Sequence, residues 1–189
     1  MKAIETERLF LRPWRQEDLE DLYQYAKHPE VGPHAGWKPH ENLEESQKIL
    51  EGWLHEDDAQ SCTWAIVPKD TGRASGSISL EDDGRRPKVP NCRSLGYALA
   101  REEWGKGYMT EAARAVLGYG FTELHLSLIS IYHFAYNQRS RRVIEKCGFQ
   151  YEDTLRQGSF LYDGRMEDLC CYSMSFEENM KGNPDAANP

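Results

Sequence analysis

The chain has 189 residues, 39% of them hydrophobic and 29% charged, with a formal net charge of -8. That length suits one domain with a sizeable core, and no apolar run approaches the roughly 20 residues needed to cross a bilayer. The acidic balance argues against broad nucleic-acid binding, which needs a basic face, and is compatible with a cationic partner such as an amine or a basic peptide, although charge alone says no more than that the protein stays in solution.

The first residues, MKAIETERLFLRPW, mix charges among apolar side chains and lack a signal peptide's apolar segment, so a cytoplasmic location is expected. Residues 8–14 read as a first strand broken by Pro13. Residues 15–28 space Leu19, Leu22, Tyr23 and Ala26 at helical intervals, with acids in the first turn, until His28-Pro29 ends the helix. Residues 29–43 hold three prolines, two glycines, two histidines and Trp37 and read as a loop; a second helix is expected from about Leu43 to His55. Residues 62–84 read as two strands around a turn at Asp70-Thr71-Gly72, residues 82–91 as a loop with a solvated turn at Glu81-Asp82-Asp83-Gly84, and residues 93–100 as a further strand.

A helix beginning near Thr110 places Ala112, Ala113, Val116, Leu117, Gly120, Phe121 and Leu124 on one face. Residues 126–136 form the most strongly β-prone run, and a short helix follows, with Gly148 at the position that favours positive φ. Two β runs flank the hairpin signal Asp163-Gly164, and residues 178–189 are expected to fray. The order βααβββαβαββ predicts a single α/β domain with a mixed sheet over residues 1–177. The five cysteines, Cys62, Cys92, Cys147, Cys170 and Cys171, are odd in number and lack Cys-x-x-Cys spacing. They read as reduced thiols, and no metal site is expected, since His34 and His40 have no supporting carboxylate or cysteine spacing.

The stretch Trp104-Gly105-Lys106-Gly107-Tyr108-Met109 lies between a strand and a helix. A glycine loop there can gather backbone N–H groups into one concavity, and the helix start at Thr110 adds unpaired N–H groups and the positive end of its dipole. A phosphate cradle and a plain turn are both consistent with that spacing. It matches neither Gly-x-Gly-x-x-Gly nor Gly-x4-Gly-Lys-Ser/Thr.

LGYALAREEWGKGYMTEA followed by NQRSRRVIEKCGF, with ETERLFLRPW before them and LYDGRMEDLCCYSM after, resembles the GNAT superfamily of acetyl-CoA-dependent N-acyltransferases, and more narrowly its RimJ/RimL-type ribosomal-protein N-terminal acetyltransferases. The resemblance spans about residues 3 to 177. It implies a GNAT-type fold: a mixed, mostly antiparallel sheet with splayed strands at the cofactor site, flanked by about four helices. It also implies that the backbone from Trp104 through Gly105, Lys106, Gly107, Tyr108 and Met109 to Thr110 holds the coenzyme A pyrophosphate. Tyr97, Ala98 and Leu99 would pair with the pantetheine arm, and a backbone N–H near Leu99 would meet the oxyanion. Asn137 and Ser140 match the family's Asn-x-x-Ser, where Asn contacts pantetheine and Ser lies near the sulfur. Two positions depart from the family loop, Trp104 for Gln/Arg and Met109 for a small residue. Ile144 stands where many GNAT enzymes carry a tyrosine acid, which leaves Ser140 to assist the departing thiolate. The alternative for Asn137 and Ser140 is that either caps the helix they begin.

Transfer from a thioester to an amine needs a neutral nucleophile, donors for an oxyanion and a proton for the thiolate. A peptide α-amine, with a pKa near ~8, needs less help from a base than a lysine near ~10.4. No base is evident: Ser94 stands where relatives often carry a glutamate, and Glu81 or Asp82 is the nearest alternative, beside a base acting through water. The acceptor is expected between the loop around His34 and Trp37 and the terminal hairpin bearing Tyr162, Asp163, Arg165 and Glu167; an ordinary loop residue is the alternative for His34, and His133 reads as packed within its strand. The expected partners are thus acetyl-CoA and an amine or peptide N-terminus, with no nucleic acid or membrane, in a monomer or homodimer. Acetylation of a small amine and a non-catalytic acyl-CoA-binding module are the competing readings.

Overall fold

The computed structural model describes residues 1–57 and 60–182. Its elements run β1 (Ile4–Glu5), β2 (Leu9–Pro13), α1 (Leu19–Ala26), α2 (Gly32–Ala35), α3 (Leu43–Leu54), β3 (Cys62–Pro68), β4 (Gly76–Asp82), β5 (Cys92–Leu99), α4 (Tyr108–Thr122), β6 (Leu128–Phe134), α5 (Gln138–Cys147), β7 (Gln150–Phe160), β8 (Met166–Ser175) and α6 (Phe176–Gly182). The strands form one sheet in the order β1-β2-β3-β4-β5-β6-β8-β7. Every neighbouring pair is antiparallel except β5–β6.

Strand alternation explains the two apolar layers. Trp64 and Ile66 of β3 join a core with Ile78, Leu80, Ile129 and Ile131, and the stripe Ala112, Ala113, Val116, Leu117 and Phe121 of α4 packs into it. The intervening Ala65 and Val67 belong to a second core with Trp14, Leu22, Tyr25 and Leu50, which carries α1 and α3 on the opposite face. Both faces of β3 are therefore covered, and all seven of its residues are buried.

One feature of the sheet positions the site. β5 pairs with β6 only from Cys92↔Leu128 to Leu95↔Ile131, whereas it stays paired with β4 as far as Leu99. Beyond Leu95 the two parallel strands diverge, so the β6-facing backbone edge from Gly96 to Leu99 has no strand partner among the described residues. At the closed end of the splay, Asp83 ties the segment after β4 to β6. Its carboxylate accepts from the hydroxyls of Ser130 and Tyr132, each at 2.6 Å, and from the Arg85 amide at 2.9 Å, with Arg86 at 3.4 Å. Asp83 is buried and so departs from the expected solvated turn.

Burial alone would raise the Asp83 pKa, but the Ser130 and Tyr132 hydroxyls, the Arg85 amide and the Arg86 charge together hold it below the ordinary value. A depressed carboxyl stabilises the fold above its unfolded pKa, and that contribution is lost as the pH falls through the folded value. Asp83→Asn is therefore expected to lower Tm clearly at pH 7, with the gap to wild type narrowing below about pH 4. Melting curves across that range measure it; a gap independent of pH would contradict the account.

Three stretches differ from the sequence expectation. The segment 29–43 contains the short helix α2, with Pro33 in its first turn and Gly36 (φ 92°) closing it, so residues that signal a loop instead open and stop a helix turn. α4 begins at Tyr108, two residues before Thr110. The expected frayed tail begins inside α6, whose start is fixed by Ser175 and Glu178: the Glu178 carboxylate accepts from the Ser175 amide and hydroxyl at 2.8 and 3.0 Å, and Phe176 meets Phe121 edge-on. Residues 183–189 of that tail lie outside the described residues. With α2 and α6 included there are six α-helices among the described residues, against about four expected.

Candidate active site

The glycines of the loop after β5 set its backbone geometry. Gly105 and Gly107 take φ of 81° and 85°, the left-handed region where a Cβ is costly. Gly107 is the N-cap of α4, no side chain caps the helix, and its first backbone bond runs from the Glu111 amide to the Gly107 carbonyl at 3.1 Å. The amides of Tyr108, Met109 and Thr110 thus have no helical acceptor and lie at the positive end of the helix dipole.

Arg8 holds this loop in place from β2's N-terminal side. Its Nη1 donates to the Lys106 carbonyl at 2.8 Å, its Nε donates to Glu111 at 2.7 Å, and its guanidinium lies 4.9 Å from the centre of the Tyr108 ring. The Arg8 amide and the Thr6 hydroxyl also donate to Glu111, at 2.8 and 2.6 Å. Burial would raise the Glu111 carboxyl, but these donors hold it below its ordinary value. Lys106 is engaged elsewhere, in a 2.7 Å pair with the buried Glu103.

Two adjoining cavities follow the splay. The larger, about 440 Å³, is lined by the loop residues Gly105 and Gly107 to Thr110, by Tyr97 to Leu99 of β5, and by Arg139, Arg142 and Lys146 of α5. The smaller, about 140 Å³, lies where β5 leaves β6 and is lined by Gly96, Tyr132, His133, Phe134 and Leu169. His34, Ala35, Tyr97, Asn137 and Ser140 line both. The elongated acyl carrier named by the sequence resemblance fits this arrangement: uncapped helix amides and three α5 cations for phosphates, then a free strand edge for an amide-bearing arm.

At the junction, Asn137 and Ser140 separate in role. Asn137 caps α5, its Oδ1 accepting from the Ser140 amide at 3.1 Å while its Nδ2 donates to the His34 carbonyl at 2.9 Å. The Ser140 hydroxyl lies instead 2.9 Å from the Tyr97 hydroxyl. Burial pushes the Tyr97 phenol far above its usual range, against the hydrogen bond with Ser140, so it stays protonated. Ile144 is fully buried in the core. A tyrosine hydroxyl thus reaches the junction from β5, where the sequence points only to the Tyr97 backbone.

The two departures from the family loop also find places. Trp104 Nε1 donates to the Leu99 carbonyl at 2.8 Å, and its ring is flanked by Arg101 and Arg139 at 4.8 and 4.6 Å, with the His34 edge 5.9 Å away. Met109 lines the larger cavity but is 6% exposed and belongs to the main core, which absorbs most of its bulk.

Other predicted residues lie outside these cavities. Glu81 accepts a hydrogen bond from Ser79 and lines neither cavity. Trp37 packs against His40, with ring centres 5.3 Å apart, and against Gly32, where an added Cβ would come within 2.5 Å of the indole. Tyr162 is exposed at the hairpin tip, and Arg165 pairs with Asp163 at 2.8 Å and Glu167 at 3.4 Å. Residues missed by sequence reading are Arg8, Arg139, Arg142 and Lys146. The cations of NQRSRRVIEKC were visible, but their facing depends on how α5 lies over the splay.

Residues 8–150 match the family model described as the acetyltransferase (GNAT) domain. The chain is 30% identical over 177 residues to the uncharacterized N-acetyltransferase YoaA of Bacillus subtilis, covering 90% of this chain and 95% of that one. Its fold is similar to a solved spermidine N-acetyltransferase of Vibrio cholerae in complex with CoA and spermine, with TM-score 0.78, 20% identity and coverage of 93% and 99%. It is also similar to a ribosomal-protein-S5-alanine acetyltransferase of Vibrio fischeri, with TM-score 0.73, 21% identity and coverage of 94% and 98%. No described helix is long and apolar enough to cross a membrane. The cradle, the splay and these likenesses agree, and the chain belongs to the GNAT family of acetyltransferases.

Proposed function

We propose that this acetyltransferase moves an acetyl group from acetyl-CoA to a protein N-terminal α-amine. Gly105 to Thr110 would hold the pyrophosphate through backbone amides, Arg139, Arg142 and Lys146 would offset phosphate charge, and the free edge of β5 would carry the pantetheine. Ser140, at the junction of the two cavities, would hydrogen-bond the departing sulfur, and an amide near Leu99 would meet the oxyanion. The acceptor would enter the smaller cavity past His34, with Tyr162 and Arg165 further out on its approach.

The observation that carries the α-amine reading is the lack of carboxylates. Of the described residues lining the two cavities, only Glu103 is acidic, and it is paired with Lys106. A polyamine, with several ammonium groups, calls for carboxylates around it, whereas a peptide α-amine, titrating near ~8, is partly neutral at physiological pH. Small-amine acetylation therefore stands as the second reading, represented by the spermidine enzyme among the structural neighbours.

A thiol-release assay with acetyl-CoA tests the choice. N-terminal peptides of ribosomal proteins are expected to give the higher kcat/KM, with spermidine, an aminoglycoside and free amino acids at least tenfold lower, which corresponds to about 1.4 kcal/mol of transition-state preference. A higher value for spermidine would overturn the α-amine reading. Binding of acetyl-CoA without turnover of any amine would favour a non-catalytic acyl-CoA-binding module.

A further inference from the structure

We infer that His34 is the general base, its Nε2 taking the proton that the acceptor nitrogen loses as it bonds to the acetyl carbon. This assignment rests on the acetyl-transfer reading above. His34 lines both cavities, where the cofactor arm and the acceptor must meet. Its Nδ1 is 2.7 Å from the Glu30 carbonyl. A carbonyl only accepts, so Nδ1 carries the hydrogen and Nε2 holds the lone pair. The ring is oriented by edge contacts with Trp104 and Tyr136, both at 5.9 Å, and the Asn137 amide holds the His34 carbonyl from the helix that bears Ser140.

The alternatives at the junction are weaker. Glu103 is ion-paired with Lys106, and Asp83, which lines neither cavity, accepts three hydrogen bonds and faces the Arg86 charge. Tyr97 is held protonated by burial. His133 lines the smaller cavity, and its buried Nε2 has no hydrogen-bond partner among the described residues, but burial lowers its pKa and the residue is 4% exposed. His34 is half-buried, so it can accept a proton and release it to solvent.

The proton count closes. The neutral amine forms the C–N bond and gives one proton to His34 Nε2. The C–S bond breaks, and the sulfur receives one proton by way of the Ser140 hydroxyl. His34 returns its proton to water, and water replaces the proton passed on at Ser140. The charged and titratable groups around the imidazole are the Glu30–Arg101 pair, Arg139 beyond Trp104, Tyr136, Tyr97 and His133.

The test compares wild type with His34→Asn and His34→Gln, using a peptide acceptor. The asparagine amide can still donate to the Glu30 carbonyl, and the glutamine amide can reach the Nε2 position, but neither is a base. In both variants kcat is expected to fall about 100-fold, with the Kd for coenzyme A within about twofold, and the acid limb of the wild-type kcat profile is expected to vanish. Activity restored in the asparagine variant, or a retained acid limb in either, would show a merely structural role and overturn the assignment alone. A wild type that turns over no amine would overturn both the base and the acetyl-transfer reading.

Discussion

Gly107→Val is expected to weaken coenzyme A binding roughly tenfold or more, while Lys106→Ala weakens it about threefold or less. Gly107 has φ 85°, and a Cβ there would lie 3.3 Å from the Arg8 guanidinium. A β-branched residue in that region costs roughly 1–2 kcal/mol, and the loop can relieve it only by turning its amides away from the ligand. About 1.4 kcal/mol is a factor of ten in Kd. The Lys106 ammonium is already committed to Glu103 on the loop itself, and its removal leaves the backbone donors in place. Calorimetric titration with coenzyme A at fixed ionic strength compares the two. Larger damage from Lys106→Ala would mean that a side-chain charge, and not the backbone cradle, holds the pyrophosphate.

The geometry of that loop was legible because its determinants are local. Two glycines at positions needing positive φ, a helix start and a preceding strand all lie within a dozen residues, and the same holds for Gly148 closing α5 and Gly164 in the hairpin turn. What stayed hidden depends on contacts between distant segments. Arg8 is an ordinary charged residue at the head of a strand until the fold brings it to the Lys106 carbonyl and Glu111, about a hundred residues away. Asp83 sits in a sequence that reads as a solvated turn, yet Ser130 and Tyr132 arrive from β6 to bury it. Trp37 and Trp104 look alike in composition. Only the fold shows one packed on Gly32 and the other donating to the Leu99 carbonyl beside the larger cavity. Helix capping was similarly ambiguous, since both Asn137 and Ser140 are good caps. The structure gives the cap to Asn137 and pairs the Ser140 hydroxyl with that of Tyr97.

Ser140→Ala is expected to lower kcat about 100-fold with little change in the Kd for coenzyme A or in Tm, because the cap on α5 comes from Asn137 and the Ser140 backbone amide survives the change. Tyr97→Phe is expected to lower kcat less, about tenfold, since it removes only the 2.9 Å partner that orients the Ser140 hydroxyl. The double variant should fall no further than Ser140→Ala alone, because two groups acting in one chain do not add. Single-turnover kinetics with saturating acetyl-CoA read the chemical step directly. If Tyr97→Phe were the more damaging, the phenol itself would be the donor to the sulfur, and Ser140 would be its support. If both variants kept full kcat, the thiolate would leave without help from this pair, and the tyrosine missing at Ile144 would have no replacement at the junction.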